Sequence, residues 1–303
     1  MKIFFKLFIS TLMSFASPLY AQIDTQKQLT TQVTNACKSS LTQIRQEFSP
    51  FLNEYPELQE KKDLILLGPY GEFNALAYYE NKKILITKGL CDQLWLSASA
   101  IAFVDSRIGS KQQLQKYIKY VTSKAISLES LGSGNFSTEV LTFPLFISFD
   151  VNALSSSKVK KINTLTSLIM RDALGFIVGH ELGHLALEHN PSEKMTSKES
   201  KQHEFDADEF GLNLVEQAKF GFFGSIPSMM IFLARESEIK RSSKSTHPRP
   251  ECRLQKIMSL SSEVNDMLNN SDMKNEFRKN TGYNPDEFKT LMNESESDCL
   301  DNP

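Results

Sequence analysis

A histidine pair with a glutamate between its members is the most informative pattern of the sequence. His180, Glu181 and His184 form H-E-x-x-H. On an α-helix, side chains four residues apart rise from the same face, so both imidazoles can bind one metal ion. Zinc binds imidazole nitrogen readily, and a hydrolytic zinc site keeps one position for the attacking water. The pattern predicts a zinc hydrolase with Glu181 as general base, and the competing interpretation is an amphipathic helix with surface histidines.

Two histidines do not complete such a site, so a third protein ligand is required. The spacing typical of metzincins would need a histidine where this chain has Asn190. His189 lies nine residues beyond His180 and, on a continuing helix, would point to the opposite side. We therefore expect the third ligand to come from another helix.

An acidic pair, Glu204 and Asp208, supplies the best candidate for that ligand. Its spacing of four residues places both carboxylates on one helical face. We expect Glu204 to bind the metal and Asp208 to accept a hydrogen bond from the outer nitrogen of a ligand histidine. The competing interpretation is a solvated acidic helix start, and His203 is interpreted as a surface residue.

Four ordered segments together resemble the gluzincin endopeptidases of peptidase family M forty-eight, the HtpX and CaaX-prenyl-protease types. These segments are residues 180–184, 204–208, 246–248 with Arg253, and the hairpin region 74–90. Other branches of that family have transmembrane helices or a tetratricopeptide array, and the sequence pattern of this chain predicts neither. The resemblance therefore favours the soluble exported branch, similar to periplasmic BepA-type proteases.

The resemblance also implies roles for individual residues. It implies three ligands for one Zn²⁺ per chain: His180, His184 and Glu204. Glu181 would be general base and acid, and Asp208 would support a ligand histidine. His247 and Arg253 match positions that line the site, where an imidazolium or a guanidinium suits the charge of a tetrahedral oxyanion.

The expected fold is α+β and mainly helical, a zincin-like domain with a small β-hairpin or sheet beside the H-E-x-x-H helix. Four domains are predicted. They are a signal peptide (1–21), an N-terminal helical segment (22–67), a metallopeptidase domain (68–258) with an insertion or cleft-forming segment at 97–164, and a helical tail (259–303). Residues 74–87 predict two strands, and Lys88 opens a helix through Leu96. Alternating apolar residues predict a further strand at 140–151. As an edge strand it could pair with an extended substrate, and the alternative is an ordinary internal strand.

Three glycines recur every four residues along the metal-binding helix: Gly175, Gly179 and Gly183. Each costs roughly 0.5 to 1 kcal/mol in a helix interior relative to alanine. A neighbouring element must therefore approach that stripe closely, and we expect it to be the helix that bears Glu204.

The N-terminus predicts export. Lys2 and Lys6 precede and interrupt a short apolar segment that ends near Ala21, which is typical of a secretory signal peptide. An uncleaved anchor is the alternative. The four cysteines Cys37, Cys91, Cys252 and Cys299 permit two disulfides in three connectivities, between which the sequence does not choose. The periplasm is the expected location, with secretion as the alternative.

Composition narrows the function further. A formal net charge of -2 gives no basic character that would indicate nucleic acid, and no transmembrane segment is expected after signal cleavage. We expect a zinc metalloendopeptidase of the cell envelope acting on unfolded or misassembled proteins, with outer-membrane assembly components among its substrates. The alternative is a latent peptidase-fold chaperone or binding protein whose zinc site His247 closes.

Overall fold

The computed structural model describes residues 29–69, 71–130, 139–190, 195–221, 228, 231, 234–235, 248–272 and 274–275. In this part of the chain helices dominate and three short strands form one sheet, which confirms the α+β, mainly helical class. The strands are β1 (Ile65–Gly68), β2 (Ala75–Tyr78) and β3 (Lys83–Thr87). The helices are α1 (29–48), α2 (Pro56–Gln59), α3 (Lys88–Asp105), α4 (Lys111–Ser130), α5 (Phe143–Phe146), α6 (Ser156–Ala186), α7 (Ser197–Gln217), α8 (Pro250–Leu260) and α9 (Ser262–Asn269). Two 3-10 turns occupy Ser49–Phe51 and Val151–Ala153.

The sheet has the order β1-β3-β2. β2 and β3 are antiparallel and form the predicted hairpin, while β1 adds in parallel on the other side of β3. β2 is therefore an edge strand, and it packs against α6. The chain passes from β3 into α3 at Thr87, whose side chain accepts a hydrogen bond from the Leu90 N–H. The predicted helix start at Lys88 is confirmed, but α3 continues to Asp105 rather than ending at Leu96.

The strand predicted at 140–151 is wrong. This stretch contains the short helix α5 and leads into a 3-10 turn. Pro144 lies in the first turn of α5, where its missing N–H costs nothing, whereas in a strand it would leave a gap in the ladder. The Phe149 N–H then donates to the Pro144 carbonyl (2.8 Å) and closes the stretch on itself.

Two hydrophobic cores share the long helices. The main core lies between the sheet, α1, α3, α6 and α7. The second core is built from the later part of α3, from α4 and α5, and from the start of α6, with Tyr117 and Phe143 fully buried in it. It falls largely within 97–164, the segment predicted as an insertion or cleft. None of the described helices combines the length and the apolar character needed to cross a bilayer.

The glycine stripe of α6 is a close-contact surface, as predicted. A Cβ added at Gly179 would lie 2.9 Å from Gly211 Cα, and one at Gly183 would lie 2.9 Å from Ala207 Cα. Gly211 and Ala207 belong to α7, so the α6 and α7 backbones touch at these positions. At Gly175 the neighbour is instead the ring of Phe220, just beyond the end of α7. The small residues thus bring the helix of the histidines against the helix of the acidic pair.

A disulfide joins Cys37 of α1 to Cys91 of α3. This bond excludes the two connectivities in which Cys37 pairs with Cys252 or with Cys299. Cys252 is disulfide-bonded as well.

Candidate metal centre

Three potential ligand atoms converge where α6 meets α7. The Nε2 atoms of His180 and His184 lie 3.1 Å apart. The carboxylate of Glu204 places Oε2 3.5 Å from His180 Nε2 and Oε1 3.4 Å from His184 Nε2. The side chains are largely buried, with 10%, 12% and 8% of their surface exposed in the order His180, His184, Glu204.

These separations fit a single metal ion. Nitrogen and oxygen ligands bound tetrahedrally to zinc at about 2.0–2.1 Å lie about 3.3 Å from one another. The three observed separations bracket that value, so His180, His184 and Glu204 form a group that could hold a metal. A hydrogen bond between the two imidazoles would explain the short distance between their Nε2 atoms. It would not explain why both rings also face the carboxylate of Glu204.

The start of α7 sets which of its side chains face α6. The Thr196 side chain accepts a hydrogen bond from the Glu199 N–H, and the Glu199 carboxylate accepts one from the Thr196 N–H, a reciprocal capping box. With the helix started there, Glu204 and Asp208 fall on its buried face and are 6% and 0% exposed.

Asp208 orients His180. The Nδ1 atom of His180 lies 2.9 Å from Asp208 Oδ1, so an N–H there donates to the carboxylate and leaves Nε2 as the free donor of a lone pair to a metal. Burial and the Arg253 charge act to lower the pKa of His180, but the Asp208 and Glu204 carboxylates outweigh them and raise it. This is the supporting contact expected for Asp208.

Arg253, on α8, donates two hydrogen bonds to the Asp208 carboxylate. Its Nε donates to Asp208 Oδ2 (2.7 Å) and one terminal nitrogen donates to Oδ1 (2.6 Å). Its other terminal nitrogen lies 3.5 Å from Glu204 Oε2. Burial acts to raise the pKa of Asp208, but the Arg253 charge outweighs it and holds that pKa below its usual range. The structure thus places Arg253 in contact with both carboxylates of α7.

The expected direction of His189 is wrong. Helix α6 ends at Ala186, and Glu188 adopts a positive φ of 54°, so the chain turns back. The His189 N–H donates to the His184 carbonyl (3.0 Å), and the Nδ1 atoms of the two rings lie 3.2 Å apart. His184 therefore has a hydrogen-bond partner on its outer nitrogen, as His180 does.

His203 completes this side of the site and is not a plain surface residue. Its ring stacks on His189 with 4.0 Å between the centroids and 2° between the planes. Burial lowers the pKa of His189 to about 4, and the charges of His203 and His184 act in the same direction. A neutral His189 can accept a hydrogen bond from the N–H of His184 at its own Nδ1.

Glu181 and Tyr79 face this group from two elements. Glu181 is 9% exposed, and burial raises its pKa above the usual range despite the opposing charges of His180 and His184. Tyr79 directly follows β2, and burial raises its pKa to about 12, with the charges of Glu181 and Glu204 adding to the effect. Tyr79 was not predicted from the sequence, where it is one of two adjacent tyrosines in the hairpin.

His247, the remaining predicted site residue, lies outside the described residues. Its predicted roles, at the oxyanion or as a latch on the metal, stay predictions.

The geometry defines a buried two-histidine, one-carboxylate group that could bind a metal, with a glutamate of raised pKa beside it. The sequence model of peptidase U49 matches residues 84–270, more than half of the chain and including all three potential ligands. The chain therefore belongs to the peptidase U49 family. No curated protein and no solved structure matches the chain.

Proposed function

We propose that this peptidase is a zinc-dependent endopeptidase with the gluzincin ligand set His180, His184 and Glu204. The observation that carries the proposal is the convergence of three ligand atoms at separations of 3.1 to 3.5 Å. Two imidazoles and one carboxylate are ligands that zinc prefers, and three protein ligands are typical of a hydrolytic rather than a structural site. The likeness to peptidase family M forty-eight supports the same donor set.

The neighbouring residues have separate tasks in this proposal. A zinc ion would supply Lewis acidity towards the scissile carbonyl and the attacking water. Glu181 accepts the proton of that water and later delivers it to the departing amine, a role that its raised pKa favours. Tyr79, protonated at neutral pH, is a candidate donor to the developing oxyanion. Asp208 and Arg253 keep His180 and Glu204 in place.

The edge strand β2 offers a place for the substrate. Because the Thr87 N–H donates to the Asn74 carbonyl (3.1 Å), the alternation of an antiparallel ladder directs the backbone groups of Ala75 and Ala77 away from β3. An extended peptide can pair with such groups, and its sequence matters little to backbone hydrogen bonds. Lys82, in the hairpin turn, donates to the Leu185 carbonyl (3.4 Å) and holds β2 beside the metal-binding helix.

The cell envelope is the proposed compartment, and unfolded or misassembled proteins are the proposed substrates. The signal-peptide pattern of residues 1–21 supports export. The Cys37–Cys91 disulfide supports an oxidising compartment, since such bonds are rare where thiols are kept reduced. Backbone pairing at β2 suits extended segments rather than folded surfaces, which supports the choice of substrates.

The proposal is tested by Glu181→Gln. We expect purified protein to contain about one zinc per chain and to cleave casein, and Glu181→Gln to keep the metal while losing at least about 100-fold in rate. Zinc content and casein cleavage are measured on both proteins. Glu209→Gln, an exposed glutamate of α7, is the matched control and should behave as the parent. Cleavage retained by Glu181→Gln would disprove the mechanism.

A further inference from the structure

The segment that forms most of the second core has a positive net charge, unlike the chain as a whole. Residues 106–168, which we call the basic lobe, contain eight lysines and arginines but three aspartates and glutamates, a formal net charge of +5, whereas the whole chain has -2. The structure describes 106–130 and 139–168 of this lobe. Positive charge is therefore concentrated on one part of an otherwise acidic molecule.

The same lobe exposes large apolar side chains. Among the described residues of the lobe, five are exposed: Leu141 (42%), Leu145 (58%), Val151 (44%), Val159 (37%) and Leu168 (43%). Leu145, on α5, is the most exposed large apolar side chain among the described residues. Single exposed apolar residues need no explanation, but a group of them within one basic segment does.

Basic and apolar side chains share the surface. Val151, Val159 and Lys160 line one shallow groove where the 3-10 turn meets the start of α6. Elsewhere in the lobe, the Leu141 N–H donates to the Tyr120 hydroxyl (3.1 Å). Lys116, one helical turn before Tyr120, lies on the same stripe of α4. Lys160 therefore shares a groove with Val151 and Val159, and Lys116 lies one turn from the tyrosine that contacts Leu141.

We propose that the basic lobe binds an anionic lipid surface, with Leu145 and Val151 entering the headgroup region and the lysines contacting the headgroups. Apolar side chains flanked by lysines are the pattern by which proteins lie on anionic membranes without spanning them. A purely acidic surface would satisfy the lysines but would give the exposed Leu145 no apolar environment. The candidate metal ligands lie near the end of α6 and on α7, outside residues 106–168, so this inference does not depend on the proposed peptidase chemistry.

A tryptophan placed on the lobe tests the proposal directly. Trp95 is the chain's single tryptophan and is 6% exposed, so its emission should not respond to lipid, and Leu145→Trp adds a solvent-exposed reporter. Phosphatidylglycerol vesicles added to the full chain should shift the emission to shorter wavelength, and brominated lipid should quench it. Pure phosphatidylcholine vesicles should give neither effect. Leu66→Trp, at 38% exposure on the sheet, is the matched control and should not respond.

The charge contribution is measured in the Leu145→Trp background. Replacing Lys158, Lys160 and Lys161 by glutamine should weaken binding on the order of 100-fold, at roughly fivefold per lysine. Lys38→Gln with Lys62→Gln, two exposed lysines elsewhere, should leave binding unchanged. Salt should also weaken it, because the screening length falls from about 10 Å at 0.1 M to about 3 Å at 1 M.

Several outcomes would overturn the proposal. No response of the tryptophan at position 145 to anionic vesicles would show that this face does not enter a membrane, and would leave an acidic protein as its occupant. A response of both reporters, or binding that is unchanged by the three lysine substitutions, would place the contact elsewhere.

Discussion

At the scale of single residues, the two candidate ligand histidines are held by different acceptors. His180 donates to the carboxylate of Asp208, which Arg253 neutralises, whereas His184 faces the neutral ring of His189. A partner on the outer nitrogen fixes the tautomer and the direction of a ligand ring, and its loss typically costs 10- to 100-fold in metal affinity or activity, about 1.4 to 2.7 kcal/mol. The His189 contact should therefore matter although His189 is no ligand.

We predict that His189→Ala weakens zinc binding by about 10- to 100-fold, because His184 loses the acceptor on its outer nitrogen. The zinc dissociation constant is measured by competition with a chelator at fixed pH. His189→Asn, which keeps an acceptor oxygen, should recover part of the loss. His203→Ala, which removes the stacked ring and leaves the acceptor, is the control for packing. Unchanged zinc affinity in His189→Ala would contradict this role.

The candidate ligand group could be predicted from the sequence because helical spacing is regular. His180, His184, Glu204 and Asp208 required nothing more than two helices, and the structure brings all four together. The direction expected for His189 was wrong because α6 ends at Ala186 instead of continuing through residue 189. Pro191 after Asn190 disfavours a helix there, so the signal for a chain reversal was present. Tyr79 carries no such signal, since its position follows from how the hairpin packs.

At the scale of elements, the backbone contact of α6 with α7 brings the candidate ligands together, and β2 lies at the edge of the sheet beside α6. The glycine stripe could be interpreted from the sequence, because glycines in a helix interior need a compensating contact. The edge strand expected at 140–151 does not form there. The alternation of apolar residues at 143–149 is typical of a strand. Pro144 and the hydrogen bond from the Phe149 N–H to its carbonyl favour one turn of helix instead. Tertiary pairing, which the sequence does not display, makes β2 the edge.

We predict that Ala77→Pro impairs substrate binding without unfolding the protein. Its N–H points away from β3, so proline removes a donor that a paired substrate would use and leaves the ladder intact. KM for a long unfolded substrate should rise about threefold to tenfold, the value of one hydrogen bond, with kcat nearly unchanged. Ala77→Gly, which keeps the N–H, is the control, and melting curves check folding. A normal KM in Ala77→Pro would exclude pairing at β2.

At the scale of the whole molecule, α1 and the sheet share one core. Val33, Ile44 and Phe48 of α1 are buried in the main core with Leu90 and Leu94 of α3. The family match begins at residue 84, within β3, so α1, β1 and β2 precede the matched region. The pairing of the cysteines could not be predicted, because it depends on which helices meet in space rather than on spacing along the chain.

The Cys37–Cys91 bond should account for much of the stability of this arrangement. The two cysteines are 54 residues apart, and closing a loop of that length in the unfolded chain contributes about 4 kcal/mol in the chain-entropy treatment, with about 2 to 4 typical of measurements. We predict that Cys37→Ala with Cys91→Ala lowers the free energy of unfolding by about 2 to 4 kcal/mol, measured by urea titration. Zinc content should not change, because neither cysteine belongs to α6 or α7, the helices that carry the candidate ligands. An unaltered free energy of unfolding would show that the packing of α1 suffices alone, and loss of zinc would show that α1 also holds the metal-binding helices in place.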